Sequence, residues 1–98
     1  MIAFSRKATQ HLEDLWRYYE EYERLEALRN LTAAMADAIA KIERNPGAGL
    51  AAPRPYPSLA KPGRAWVKAG RYWVMYRTTK PPVITGIFYD AADIPDRL

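Results

Sequence analysis

The sequence predicts an α+β domain of order β-αα-βββ, a helical hairpin packed on one face of a small, mainly antiparallel sheet. Apolar residues recur twice at helical spacing in the first half, and short alternating segments follow a proline-rich stretch in the second. The chain is also too short to leave its helical half as one rod. All 98 residues are read as a single domain, 1–98.

Ile2 to Phe4 is a short apolar segment with the length of a brief strand. Ser5 suits a helix N-cap, because its hydroxyl can accept from a first-turn N–H. Apolar residues then recur at Ala8, Leu12, Leu15, Trp16, Tyr19 and Tyr22, with Glu13, Arg17, Glu20, Glu21 and Arg24 on the other side. On this pattern Leu15 and Trp16 face the core, and Trp16→Ala should cost about 3–5 kcal/mol. A second series, Leu28, Leu31, Met35, Ile39 and Ile42, ends at Asn45-Pro46-Gly47, where Pro cannot continue the helix. One helix over 6–44 would be roughly 58 Å long, against a radius of gyration of about 13 Å for a domain of this size. The chain must therefore turn, and the crowded acids Glu20, Glu21, Glu23 and Glu26 place the turn near Tyr22 to Glu26, giving an antiparallel hairpin.

Residues 46–62 carry Pro46, Pro53, Pro55, Pro57 and Pro62 with Gly47 and Gly49. So long a connection either packs over a surface, serves as a binding loop or is a plain rigid crossover. Arg64–Ala69 alternates Trp66 and Lys68 against Ala65, Val67 and Ala69, and Gly70 marks a tight turn. Arg71–Arg77 puts Arg71, Trp73, Met75 and Arg77 on one face and Tyr72, Val74 and Tyr76 on the other. After the break at Thr78–Pro82, Val83–Tyr89 is apolar on both faces, which predicts a central strand. The tail, Asp90–Leu98, has room for a short helical turn.

Composition narrows the chemistry. At 49% hydrophobic and 27% charged the chain is globular rather than disordered. It has no cysteine, which excludes a disulfide framework and thiolate chemistry. The single histidine, His11, excludes a histidine cluster and reads as structural. No apolar run approaches the roughly 20 residues of a membrane span, and no signal peptide precedes the first polar helix, so a cytoplasmic location is expected. The tail acids Asp90, Asp93 and Asp96 recur every three residues, but carboxylates alone rarely make a tight metal site. No metal and no cofactor are expected.

Charge is divided between the halves. Residues 1–45 carry a net −1 and residues 46–98 a net +5. The window 54–80 holds Arg54, Lys61, Arg64, Lys68, Arg71, Arg77 and Lys80 and no acid. Such a block favours a polyanionic or acidic partner, or solvates a sheet edge. Residue chemistry leaves nucleic acid and an acidic protein equally open. Arg and Lys can hold phosphates, and Tyr and Trp can stack on bases.

The Asn45-Pro46-Gly47 stop, the proline loop, the strand Gly70-Arg71-Tyr72-Trp73-Val74-Met75-Tyr76-Arg77 and the ending Ile87-Phe88-Tyr89-Asp90-Ala91-Ala92-Asp93-Ile94-Pro95 together resemble the RelE/ParE toxins, also known as plasmid stabilisation proteins. The opening Phe4-Ser5-Arg6-Lys7-Ala8 through Leu12-Leu15-Trp16 is similar to ParE-like members in particular. The resemblance implies the toxic half of a bacterial type II toxin–antitoxin module. Its partner would be a cognate antitoxin, which would carry the DNA-binding domain that this chain lacks.

The superfamily has two activities. RelE-like members cleave mRNA on the ribosome, whereas ParE-like members poison DNA gyrase. RelE-type ribonucleases commonly carry an arginine directly after the aromatic of the third strand, where this chain has Trp73. They commonly carry another basic residue in the loop after the last strand, which reads Asp90-Ala91-Ala92-Asp93 here. Tyr89 stands where many relatives place histidine, and a phenol of pKa about 10 is a poor base at neutral pH. The resemblance therefore implies a ParE-like gyrase inhibitor, with Arg64, Lys68, Arg71, Arg77 and Tyr89 as target- or antitoxin-binding residues. The alternatives are a ribosome-dependent ribonuclease using those same five side chains, and an inactive toxin fold that only binds its antitoxin.

Overall fold

The computed structural model describes residues 2–98. In chain order it consists of β1 (Ala3–Phe4), α1 (Arg6–Glu21), α2 (Leu25–Arg44), β2 (Arg64–Ala69), β3 (Tyr72–Arg77), β4 (Val83–Tyr89) and a terminal turn, α3 (Ile94–Arg97). The expected order and the hairpin are present. Single 3-10 turns at Pro46–Ala48 and Pro57–Leu59 break up the proline-rich connection. Arg71, placed in the third strand by the sequence pattern, lies in the turn before it.

Ser5 caps α1, its Oγ accepting the Ala8 N–H at 3.1 Å. The helix ends in a Schellman motif. The Arg24 N–H donates to the Tyr19 carbonyl at 2.8 Å and the Glu23 N–H to the Glu20 carbonyl at 3.1 Å. The Arg24 guanidinium then closes over the Tyr19 ring, 5.7 Å from its centroid. The motif requires a left-handed residue, and Glu23 supplies it at φ 52° in the place where glycine is usual. Glu23→Gly is therefore expected to stabilise the domain by up to about 1 kcal/mol. A urea midpoint that falls in this variant would contradict the strain.

The buried stripe of α1 runs through Ala8 and Tyr19, with Leu12 and Leu15 packed partly into the same core. Trp16 follows Leu15 by one residue, about 100° around the helix, and is carried to the rim, where it is 40% exposed. This corrects the expectation that Trp16 faces the core. Tyr22 is 62% exposed at the hairpin tip. In α2, Leu31, Ala34, Met35, Ala38 and Ile42 face inward.

The sheet order is β1-β4-β3-β2, with β1 parallel to β4 and the other pairs antiparallel. β4 is internal, as its two apolar faces require. Gly70, at φ 56°, and Arg71 connect β2 to β3. In the β3–β4 ladder Met75 pairs with Gly86 but Tyr76 with Ile84, so Thr85 is left as a bulge. The helices cover one face through Ala65, Ala69, Tyr72, Val74, Tyr76, Ile84 and Ile87. On the opposite face a second, smaller core gathers Trp66, Trp73, Met75 and Phe88 beneath Ile94, with Tyr56 and Leu59 of the proline-rich connection packed against it. The connection thus packs over a surface, and the middle of the face that bears Trp73 and Met75 is closed to solvent.

The connection is fastened along the β2 edge. Leu50 exchanges two 2.8 Å hydrogen bonds with Trp66, and the Tyr76 hydroxyl donates to the Pro46 carbonyl at 2.6 Å. A Cβ on Gly49 would lie 2.3 Å from the Tyr76 oxygen and 2.9 Å from the Ala65 Cβ, so this close approach needs glycine. Lys41 reaches from α2 to donate to the Lys68 carbonyl on the same edge at 3.1 Å.

At the opposite edge β1 covers β4 only at Val83 and Ile84. Beyond it, His11 Nδ1 accepts the Ile87 N–H at 3.2 Å, and the imidazole meets Phe88 edge-on with centroids 5.0 Å apart. Burial, then the charge of Lys7, lower the His11 pKa from 6.5; Asp14 opposes them and Arg97 adds to them. A lowered folded-state pKa means that the unfolded chain binds the proton more readily. The His11 contribution to stability is therefore complete above pH 6.5 and is lost as pH falls from there through the folded pKa. Denaturation midpoints should drop between neutral pH and about pH 5, and His11→Gln should flatten that drop. An unchanged slope in the variant would assign the titration to another group.

Candidate functional site

The β2–β3 hairpin and the end of β4 position the candidate residues. Register sets their neighbours. Lys68 is opposite Trp73, and Arg64 is opposite Arg77. Tyr72 is opposite Tyr89, and the next backbone bond joins the Asp90 N–H to the Arg71 carbonyl at 2.8 Å.

This register brings Lys68, Arg71 and Tyr89 together around Asp90. The carboxylate accepts from Arg71 Nε at 3.1 Å and lies 3.5 Å from Lys68 Nζ. Each cation also sits against an aromatic ring: Lys68 Nζ is 5.6 Å from the Trp73 centroid and the Arg71 guanidinium 5.4 Å from that of Tyr89. Burial alone would raise the Asp90 pKa, but the Arg71 hydrogen bond and the charges of Arg71 and Lys68 outweigh it and hold the carboxyl below its ordinary value. The hydrogen bond to Asp90 raises the Arg71 pKa in turn. Both cations are well exposed, so water screens much of this attraction. On the helix-covered face the Tyr72 hydroxyl meets that of Tyr19 at 2.7 Å. Burial, then that hydrogen bond, push the Tyr72 phenol above its ordinary value.

Arg64 and Arg77 lie at the other end of the hairpin, with Arg77 about 20 Å from Arg71 at the rise of a strand. Arg64 is half-buried. Its Nη2 donates to the Leu59 carbonyl, its guanidinium carbon is 5.7 Å from the Trp66 centroid, and its buried Nε has no hydrogen-bond partner. Arg77 is exposed. Among the described residues no hydrogen bond or ion pair engages its side chain.

The predicted residues thus form two groups. One is neutralised in part by Asp90, a residue that sequence reasoning treated only as a missing positive charge and a weak metal ligand. The other is purely cationic. Among the described residues no cluster of three or more His, Cys, Asp or Glu side chains is placed to hold a metal ion. Either group of cations can bind an anion.

A separate apolar surface lies on α1. Leu12 and Trp16, with Glu13, Arg17 and Glu20, line an open cleft of about 380 Å³, and Tyr18, Tyr22 and Leu25 are exposed toward the hairpin tip. Among the described residues no helix is long and apolar enough to cross a membrane.

Comparison with known proteins agrees with this architecture. No curated protein matches the chain. The family model for the ParE toxin of the type II toxin–antitoxin system, parDE, matches residues 2–89, from β1 to the last residue of β4. With the two-helix hairpin, the four-stranded mixed sheet and a family match over nearly its whole length, the chain belongs to the ParE toxin family of type II toxin–antitoxin systems.

Proposed function

We propose that this protein is a cytoplasmic toxin that inhibits DNA gyrase without cleaving RNA and is neutralised by a cognate antitoxin. The observation that carries the reading is the second core. A ribonuclease must converge its cationic donors on one scissile phosphate, within about 3 Å of the oxygens that gain charge. Here the middle of the sheet face between the candidate cations is filled by Trp66, Trp73, Met75, Phe88 and Ile94. Lys68 and Arg71 turn to Asp90, while Arg64 and Arg77 stay at the far end. This separation disfavours the ribosome-dependent alternative. An antitoxin segment, ordering as it binds, would cover the Leu12–Trp16 cleft and the exposed tip of the hairpin.

Gyrase supercoiling by purified components, together with mRNA end-mapping after induction in cells, tests the proposal. Inhibited supercoiling with intact mRNA is the expected result. Codon-periodic cleavage that disappears in Arg71→Ala, with gyrase untouched, would replace it with the ribonuclease reading. If neither effect appears and cells grow normally, the fold only binds its antitoxin.

A further inference from the structure

We propose that the end of the sheet formed by Lys61, Arg64, Arg77 and Lys80 is a docking site for an acidic peptide segment of a partner protein. The sequence places no acid between Glu43 and Asp90. The fold then commits Asp90 to the opposite end, where it engages Lys68 and Arg71. Arg64 and Arg77 are direct cross-strand neighbours, in a pair type whose side chains approach closely and where like charges oppose folding. Local backbone bonds gather the other cations. The Arg64 N–H donates to the Lys61 carbonyl at 3.2 Å and the Thr78 N–H to the Gly63 carbonyl at 3.1 Å, joining the turn that bears Lys61 to the loop that bears Lys80. Lys61, Arg77 and Lys80 are exposed. Among the described residues no carboxylate pairs with any of these four cations.

An external anion relieves this repulsion, and the surroundings select its kind. Trp66 and Tyr76, the aromatic residues nearest Arg64 and Arg77 along the two strands, are buried, so neither offers a platform on which a base could stack. Among the described residues no hydrogen bond or ion pair engages the exposed Arg77 guanidinium, and its planar fork can take a carboxylate through two parallel hydrogen bonds. The proposal takes from the reading above only that a protein partner exists. Its test involves neither gyrase nor RNA, so the two can fail separately.

The test uses the full chain, a fluorescein-labelled hexaglutamate peptide and, in parallel, a short labelled DNA duplex, both followed by anisotropy at about 50 mM salt, where exposed charges are weakly screened. The peptide should bind, and binding should weaken as salt is raised. Arg77→Gln should reduce affinity about fivefold, and Arg77→Gln with Lys80→Gln should reduce it further. Arg29→Gln, an equal loss of charge on α2, should leave it nearly unchanged. Melting of the free Arg77→Gln variant should match or exceed wild type, because a like-charge contact is removed, which separates lost binding from lost folding. Equal loss in Arg29→Gln would reduce the effect to net charge. Failure of wild type to bind the peptide, or tighter binding of the duplex lost in Arg77→Gln, would overturn the assignment, the latter in favour of nucleic acid.

Discussion

Trp66→Ala is expected to bring the domain to the edge of unfolding at room temperature. The indole is fully buried at 0% exposure, 5.8 Å from the Phe88 ring, and it forms the middle of the second core with Trp73, Met75 and Ile94. Truncating such a side chain costs about 3–5 kcal/mol. Small domains lie toward the low end of the usual stability range of about 5–15 kcal/mol. The backbone at this position also anchors Leu50, so the proline-rich connection loosens with it. The indole Nε1 is buried without a partner, so Trp66→Phe, which removes that donor and keeps a ring, should be milder. Trp16→Ala is the control, and its loss should stay within about 1 kcal/mol. Urea denaturation decides the matter: a Trp66→Ala midpoint close to wild type, or a collapse confined to Trp16→Ala, would mean that the two indoles have been assigned to the wrong environments.

The second large effect is expected at the fifth residue from the end. Ile94 is 0% exposed and covers the second core. α3 has only four residues and no side-chain cap, too short a helix to persist alone. Its position therefore depends on Ile94, with one backbone bond from the Ala92 N–H to the Tyr89 carbonyl helping to turn the chain. Ile94→Ala should cost about 2–4 kcal/mol, an unusual penalty so near a terminus. Because Ile94 and Trp66 share one cluster, the losses in the double variant should not add. If Ile94→Ala melts like wild type while amide exchange in β3 stays slow, the tail contributes nothing to the core.

Much of the helical layer was legible in the sequence, because intervals of three and four report directly which side of a helix is apolar. Ala8, Leu12, Leu15 and Tyr19 mark the inward stripe of α1. Trp16 misled because hydrophobicity does not distinguish the centre of a stripe from its rim. The hairpin turn was legible from length, but not its mechanism, since a Schellman motif built on Glu23 lacks the glycine that would announce it. The second core was hidden by distance along the chain: Tyr56, Leu59 and Ile94 meet Trp66, Trp73 and Phe88 only after the sheet has formed. The pairing of Asp90 with Arg71 was equally hidden. Counting residues back from the Thr78–Pro82 loop gives the wrong partners, because the bulge at Thr85 shifts the β3–β4 register by one. The candidate cations could be named individually, but the register that divides them into two groups could not.

The closure of the β2 edge also constrains how this protein can crowd with copies of itself. An edge strand normally advertises a row of free amides and carbonyls, the template on which chains polymerise. Here Leu50 takes both backbone groups of Trp66, and the Lys41 ammonium blocks the Lys68 carbonyl with a charge that an approaching strand would have to desolvate. The run of open positions is too short to seed a ladder. At high expression this edge should therefore resist fibril growth, and a partner that meets the domain here must recognise it through side chains rather than by extending the sheet.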